Sequence, residues 1–203
     1  MAPRSKAQSS LPASRPRAER LTFREVDGRS WVDFERLFES RGAPKYCWCM
    51  AWRATADVVR DAARGTRKRA IKRRVDAGTP IGILAYQEEE PSAWCSIAPR
   101  ASYSDLGGPG EADDPKVWSI VCLFVKRDLR GQGIGPQLVE AAIKTARKHG
   151  AKVVEAYPVD PDSPSYRFMG FVPLFAKAKF TELGRAGSRR HVMRRAVGAA
   201  RRR

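Results

Sequence analysis

Histidine, paired cysteines and long apolar runs are all scarce in this sequence of 203 residues. Its two histidines, His149 and His191, are far in sequence from all four cysteines, which argues against a histidine-activated cysteine nucleophile. Cys47 and Cys49 lie two apart and lack the second matched pair that a zinc site needs, so no metal is expected. Because no run of about 18 apolar residues is present, no membrane span is expected either.

Charge is distributed unevenly, with 39 Lys and Arg against 22 Asp and Glu and a net charge of +17. Residues 1–20 carry +4 and residues 185–203 carry +8, so +5 remains for residues 21–184. We therefore predict one domain over residues 21–195, flanked by basic, disordered tails (1–20 and 196–203) that contact nucleic acid nonspecifically. The first tail also lacks the apolar segment of a secretory signal, which favours a cytoplasmic protein with reduced thiols.

Hydrophobic periodicity divides the domain into strands and helices. Strands are predicted over residues 21–26, 81–87, 92–98, 117–125, 152–157, 180–185 and 190–195. Helices are predicted over residues 31–38, 56–77, 136–149 and 172–179. The second helix is strongly basic, which suits a solvated face or an acidic partner. The element order β-α-α-β-β-β-α-β-α-β-β indicates an α+β fold.

A glycine-rich turn joins the long apolar strand at 117–125 to the helix that follows. Residues 126–129 form a turn, Arg130-Gly131-Gln132-Gly133-Ile134-Gly135 follows, and Pro136 is expected at the first helical position. The free N–H groups of a helix N-terminus after such a turn favour a phosphate ligand. The G-x-G-x-G spacing departs from the Rossmann motif, and the Gly-Lys-Ser/Thr ending of a P-loop is missing. A turn without a ligand is the remaining alternative.

Arg130-x-x-Gly133-x-Gly135 resembles the Arg/Gln-x-x-Gly-x-Gly/Ala signature of the GNAT superfamily of acyl-CoA N-acyltransferases. Leu123-Phe124-Val125 resembles the strand segment whose backbone pairs with pantetheine in that family, and the element order agrees over roughly residues 20–195. The resemblance implies a mixed central sheet of about six to seven strands flanked by helices, splayed between its fourth and fifth strands. It implies acetyl-CoA as co-substrate, held by Leu123, Phe124, Val125, Arg130, Gly131, Gln132, Gly133, Ile134, Gly135 and Pro136.

The family often protonates the departing thiolate with the tyrosine of a Leu-Tyr-x-x-x-Gly-Phe pattern. Residues 174–180 match its spacing but have Phe175 in place of the tyrosine and Lys179 in place of the glycine. Residues 165–171 keep Tyr166 and a Gly-Phe pair but are one residue short. The first alignment is preferred, so the usual acid is absent.

Substitutes for the missing acid and for the general base are sought near the end of the fifth strand. Tyr166 and Tyr157 are the acid candidates, although either could be a core or rim aromatic. Glu155 and Asp160 are the base candidates, although either could form an ordinary ion pair or turn, and a chain of waters would also serve.

Aromatic residues are frequent in the segment after the first helix, which borders the acceptor pocket in the GNAT fold. Tyr46, Trp48 and Trp52 are therefore predicted, with Tyr157, to line that pocket; a local aromatic core is the equally weighted alternative. The run Cys47-Trp48-Cys49 resembles that of a bacterial GNAT subgroup.

The expected activity is transfer of an acetyl group from acetyl-CoA to an amine, most simply on a small molecule, by direct attack in a ternary complex. Acetylation of a macromolecule, such as aminoacyl-tRNA or a protein amine, is one alternative. A GNAT-fold module that binds CoA or RNA without catalysis is another. The oligomeric state stays open, a homodimer being one option.

Overall fold

The computed structural model describes residues 21–60, 65–109 and 116–198. The predicted tail 1–20 and residues 199–203 of the predicted tail 196–203 lie outside these ranges. The domain extends past its predicted end at residue 195, because Ala196 ends the last strand and Val197 is buried. Within the described ranges, no helix is both long enough and apolar enough to cross a membrane.

Seven strands form one sheet in the order β1-β2-β3-β4-β5-β7-β6. The strands are β1 Leu21–Glu25, β2 Ile83–Gln87, β3 Glu90–Pro99, β4 Val117–Val125, β5 Val153–Ala156, β6 Thr181–Ala186 and β7 Arg190–Ala196. The helices are α1 Trp31–Glu39, α2 Ala56–Arg60, α3 Thr66–Asp76, α4 Ile134–Lys148 and α5 Val172–Lys177. Neighbouring strands are antiparallel except for β4 and β5, which are parallel because α4 carries the chain back between them. The expected mixed sheet flanked by helices is confirmed.

The sheet opens beside β4 because β5 is short. The β4–β5 ladder runs from the pair Val117 and Val153 to the pair Ile120 and Ala156, and β5 then ends. Residues 121–125 of β4 therefore continue without a strand on that side. This is the splay that the resemblance implied.

A β-bulge lies where this opening begins. Ile120 pairs with Ile97 and Cys122 pairs with Ser96, which leaves Val121 as an extra residue in β4. A bulge shifts the alternation of side chains along a strand. Val121 and Cys122 consequently both pack on the face that carries α1 and α3, whereas Leu123 lies on the α4 face.

Two main cores cover the faces of the sheet. On one face, α4 packs its apolar stripe against the middle strands, with Leu138, Ala142 and Ile143 almost fully buried. On the other face, α1 contributes Phe34 and Phe38 to an aromatic core. The opening between β4 and β5 therefore lies between two packed layers.

The structure corrects the predicted bounds of two helices. The helix expected over 56–77 is interrupted at Gly65, whose φ is +90°, and α3 begins after it; residues 61–64 of the predicted helix lie outside the described ranges. The helix expected from Pro136 begins at Ile134, so that Pro136 is its third residue; its missing N–H still costs nothing because the first turn has no internal partner. Residues Arg127–Leu129 form a 3-10 helix inside the predicted turn.

Strand β2 starts later than predicted, at Ile83 rather than Ile81. Gly82 has a φ of +150°, and a Cβ there would lie 2.2 Å from the carbonyl oxygen of Cys95. The close passage of this glycine under β3 breaks the extended run, and Ile81 is buried just outside the strand.

Candidate active site at the opening between the fourth and fifth strands

The loop between β4 and α4 is shaped by two glycines in the left-handed conformation. Gly131 has a φ of +79° and Gly133 has a φ of +78°, and a Cβ at either position would meet nothing within 4 Å. The space in front of the loop is therefore open. The first turn of α4 carries no acidic side chain, so its unpaired N–H groups and the helix dipole favour an anion. These features fit a pyrophosphate group, as the sequence predicted.

The polar side chains of the motif brace the loop from within. Arg130 Nε donates to the carbonyl of Val125 at 3.1 Å, and Gln132 Nε2 donates to the carbonyl of Asp128 at 3.1 Å. These two residues, predicted to hold the cofactor, thus fix the loop conformation that presents the backbone N–H groups.

Backbone groups of β4 are directed into the opening. The N–H of Lys126, just after β4, donates to the carbonyl of Ser92 on β3 at 3.1 Å, so the backbone groups of Lys126 point toward β3. Because successive residues of a strand point to opposite edges, Phe124 also faces β3, and Leu123 and Val125 face the open edge. The Val125 carbonyl accepts the hydrogen bond from Arg130. The N–H groups of Leu123 and Val125 and the carbonyl of Leu123 have no partner among the described residues and could bind a ligand that lies along the strand.

On the α1–α3 face, three aromatic rings surround the guanidinium of Arg190. Its Cζ lies 4.5 Å from the ring centroid of Trp52, 5.3 Å from that of Tyr166 and 5.9 Å from that of Tyr157. Arg190 Nη1 donates to the carbonyl of Leu106 at 2.9 Å. Desolvation lowers the pKa of Arg190. The structure thus brings together three residues that the sequence placed near the acceptor, around an arginine that the sequence did not single out.

Tyr46 and Trp48 do not join this group. Trp48 is 6% exposed and its ring stacks on Phe38 with centroids 5.6 Å apart, under the ammonium of Lys68. Tyr46 is 77% exposed, and its carbonyl accepts a hydrogen bond from Arg67. The structure places Trp48 in the local aromatic core, the alternative raised by the sequence, because its left-handed backbone (φ 48°) turns the ring inward.

Glu155 is placed as one half of a buried ion pair. It is 0% exposed, with Arg194 Nε at 3.0 Å from Oε1 and Arg100 Nη1 at 3.4 Å from Oε2. The hydroxyl of Tyr157 donates to the same carboxylate at 3.0 Å. Desolvation and this carboxylate raise the pKa of Tyr157. With both oxygens occupied, the geometry favours the ion-pair alternative over a general base.

Asp160 lies away from the aromatic group. Its Oδ2 is 3.2 Å from His191 Nε2 and 3.9 Å from Arg185 Nη1. His191 and Arg190 are successive residues of β7 and therefore point to opposite faces of the sheet. The structure does not bring Asp160 together with the other predicted catalytic residues.

A buried polar network beneath β3 and β4 was not predicted. Arg53 is 2% exposed and donates to the Ile81 carbonyl at 2.8 Å, to the Tyr103 hydroxyl at 2.9 Å and to the Cys49 carbonyl at 3.1 Å. The Cys49 thiol, hydrogen-bonded by Cys122 and close to Arg53, has its pKa lowered to about 6. The one sequence signal was the four-residue spacing of Cys49 and Arg53, which is that of one helical turn.

A cavity of about 660 Å³ lies elsewhere, between β1 with the segment after it and the last turns of α4. It is lined by charged residues such as Asp27, Asp33 and Lys144 and contains none of the loop glycines. Its position at the far end of α4 separates it from the opening between β4 and β5.

Comparison with known proteins places these features in context. A sequence model of the acetyltransferase (GNAT) family matches residues 31–171. No curated protein matches the sequence significantly. Among solved structures, an N-acetyltransferase from Staphylococcus aureus Mu50 is similar at 10% identity and a TM-score of 0.55, over 88% of this chain and 99% of that one.

Two further solved structures are similar in fold. The yncA acetyltransferase from Salmonella typhimurium, solved with its cofactor acetyl-CoA, shares 14% identity at a TM-score of 0.50, over 90% of this chain and 96% of that one. The ribosomal-protein-S18-alanine N-acetyltransferase from Escherichia coli shares 13% identity at a TM-score of 0.50, over 89% and 96%. At these identities the likeness shows the fold alone.

Proposed function

Because the chain belongs to the acetyltransferase (GNAT) family, we propose that it transfers an acetyl group from acetyl-CoA to an amine, most simply on a small molecule. The observation that carries the proposal is the alignment of two features along one opening. The glycine loop and the first turn of α4 offer N–H groups for the pyrophosphate, and the open edge of β4 offers Leu123 and Val125 for the pantetheine arm.

In this reaction the amine nitrogen forms a bond to the acetyl carbonyl carbon, the carbon–sulfur bond breaks, and the proton lost by the amine is balanced by the one gained by the thiolate of CoA. The backbone N–H groups of β4 near the bulge would stabilise the oxyanion. Binding both substrates side by side lowers the barrier, because their translational and rotational entropy is lost on binding and not in the reaction step. Because Glu155 is engaged in ion pairs, another side chain or a water molecule would take the proton from the amine.

Tyr166 is our candidate for the acid that protonates the thiolate. Phe175, at the position of the usual tyrosine, is fully buried and has no hydroxyl. Tyr166 is 38% exposed and precedes the 3-10 helix Arg167–Met169, which packs beside the open part of β4. Its hydroxyl is therefore available to a reacting group, which the buried Tyr157 hydroxyl is not, since it is bonded to Glu155.

Acetylation of a macromolecular amine is the second candidate, favoured by the net charge of +17. An excess of Lys and Arg attracts polyanions. Removing residues 1–20 and 199–203 tests whether RNA binds to these basic ends or to the folded domain. RNA binding that persists in the trimmed protein, with a steep salt dependence, would support a site on the domain.

The proposed function is tested by acetyl-CoA calorimetry on two variants of one residue. Asn and Asp both tolerate the left-handed conformation of Gly133, and the space in front of it is open. Gly133→Asp places a negative charge where the pyrophosphate is expected, and Gly133→Asn is its neutral, nearly isosteric control. We expect micromolar binding in the wild type, a modest change in Gly133→Asn, and a loss of more than about tenfold in Gly133→Asp relative to it.

A folded wild type that fails to bind acetyl-CoA would overturn the transferase proposal and favour a module without catalysis. Where binding is found, release of free thiol in the presence of a panel of amines identifies the acceptor.

A further inference from the structure

Arg190 is a partly desolvated cation without a carboxylate partner. Among the residues that the structure describes, no carboxylate oxygen lies within ion-pair distance of its guanidinium. Asp105 contributes electrostatically, but its Oδ1 accepts the N–H of Gly107 at 2.7 Å. By contrast, Arg194 and Arg195 on the same strand each bond a carboxylate, at 3.0 and 2.5 Å. Partial removal of a guanidinium from water without a carboxylate in contact is unfavourable, and a bound anion would offset this cost.

The donors of Arg190 are also largely unused as far as the described residues show. A guanidinium has five N–H groups, and the hydrogen bond to the Leu106 carbonyl uses one of them. The guanidinium carbon lies over the faces of the rings of Trp52, Tyr157 and Tyr166, which hold the group in place while its remaining N–H groups can bind a planar acceptor.

A second donor that finds no partner within the described part of the chain lies beside it. The indole Nε1 of Trp52 is buried and has no acceptor among these residues, while the Trp52 ring centroid lies 4.5 Å from the Arg190 guanidinium carbon. An indole N–H can only donate, and leaving a buried donor unsatisfied is costly. Arg190 lacks a carboxylate in contact and Trp52 Nε1 lacks a hydrogen-bond acceptor, and the oxygens of one bound carboxylate could supply both.

The position of this pair relates it to the proposed reaction. Trp52 and Tyr157 pack in one cluster with Val121, the bulge residue of β4 at the start of the opening. Arg190 follows the same face of the sheet, because it alternates with Val192, which belongs to that cluster. A small molecule whose amine lies at the bulge could therefore extend its other end toward Arg190.

We propose that Arg190 and the indole N–H of Trp52 bind a carboxylate of the acceptor, so that the substrate is an amine that also carries a carboxylate. This inference rests on the proposed function, because it assumes that the amine of the same molecule is the group that is acetylated. The planar guanidinium matches the two oxygens of a carboxylate and can bond both, which an isosteric carboxamide cannot reproduce.

The test compares N-acetyl amino acids with their C-terminal amides, which differ in the carboxylate and lack a titrating amine. Binding is measured by calorimetry in the presence of CoA. The variants are Arg190→Met, which removes the charge, Arg190→Lys, which keeps it without the planar fork, and Trp52→Phe, which keeps the ring and removes the N–H. Arg189→Met is the matched control, since Arg189 is exposed in the adjoining turn and bonds Ser165.

We expect at least one N-acetyl amino acid to bind about ten- to a hundredfold more tightly than its amide. Arg190→Met should remove the preference, Arg190→Lys and Trp52→Phe should reduce it, and Arg189→Met should keep it. Should Arg190→Met fail to fold, the other two variants and the wild-type comparison still decide. Equal affinity for acids and amides, no binding of either, or a preference that survives in folded Arg190→Met would overturn the inference.

Acetyl-CoA binding, measured separately on the same samples, keeps the two proposals apart. Binding of acetyl-CoA without any preference for acids would contradict the carboxylate site and leave the transferase proposal standing. A preference for acids without acetyl-CoA binding would support the carboxylate site and contradict the transferase.

Discussion

The backbone N–H of Phe180 donates to the carbonyl of Phe175 at 3.0 Å, and their rings meet edge to face with centroids 5.3 Å apart. Lys179 N–H donates to the Ala176 carbonyl at 3.0 Å, which completes a Schellman motif at the end of α5. Lys179 stands at the left-handed position of this motif, with a φ of +63°. Glycine usually occupies that position, so the geometry agrees with the alignment that sets Lys179 against the glycine of Leu-Tyr-x-x-x-Gly-Phe.

Replacing Lys179 by glycine should stabilise the protein. A left-handed backbone costs a residue with a Cβ about 1–2 kcal/mol, and glycine avoids most of this cost. We expect Lys179→Gly to raise the free energy of unfolding by about 1 kcal/mol in urea titrations. Lys179→Ala removes the same charge and keeps the Cβ, so it should give no gain; equal stabilisation by both variants would argue against backbone strain at this position.

The lowered pKa of the buried Cys49 thiol predicts a pH-dependent stability. The pKa of Cys49 is about 6 in the folded protein against an ordinary value of 9.0, chiefly because of the Cys122 hydrogen bond, with Arg53 adding to it. The unfolded chain then binds more protons than the folded one between these values. The stabilisation is therefore complete above pH 9, declines as the pH falls, and is absent below about pH 6.

Urea unfolding at constant ionic strength checks this expectation. The free energy of unfolding of the wild type should rise from pH 6 to 9, and Cys49→Ala should flatten that rise. Cys95→Ala is the control, because burial raises the pKa of the Cys95 thiol well above this range. A slope that Cys49→Ala leaves unchanged would show that another group titrates.

Glu155 should be important for stability more than for proton transfer. Glu155→Gln removes the charge that neutralises Arg100 and Arg194 in a buried site, and we expect a loss of about 3–5 kcal/mol in unfolding free energy. The control is Glu140→Gln, whose ion pair with Arg195 is 45% exposed at the glutamate and should matter by about 1 kcal/mol or less. A stable Glu155→Gln protein without turnover would instead identify a general base.

Replacing Tyr166 by phenylalanine separates its hydroxyl from its ring. If Tyr166 protonates the thiolate as proposed, kcat should fall by about 100-fold or more in Tyr166→Phe, with unchanged affinity for acetyl-CoA. The ring contact with Arg190 is retained in this variant and lost in Tyr166→Leu, which should also weaken acceptor binding. A kcat of Tyr166→Phe close to that of the wild type would show that the hydroxyl is not the acid and that Tyr166 only lines the acceptor site.

Local patterns were sufficient for much of the fold. The strand at Val117–Val125, the alternating glycines and the apolar stripe of α4 are contiguous, and periodicity alone indicates what each will form. The same contiguity made the phosphate loop predictable, since all its groups come from one short segment. Boundaries failed where a glycine far from any motif took an unusual backbone conformation, as at Gly65 and Gly82.

The element types, the glycine loop and the family resemblance depend on neighbours along the chain, so they could be predicted from the residues alone. Which side chains meet on the acceptor side depends instead on how distant segments pack together. Trp52, Tyr157, Tyr166 and Arg190 come from four separate segments, and Glu155 became an ion-pair partner when β7 brought Arg194 against β5. Such contacts follow from sheet order and from a one-residue bulge in β4, neither of which any local pattern of residues specifies.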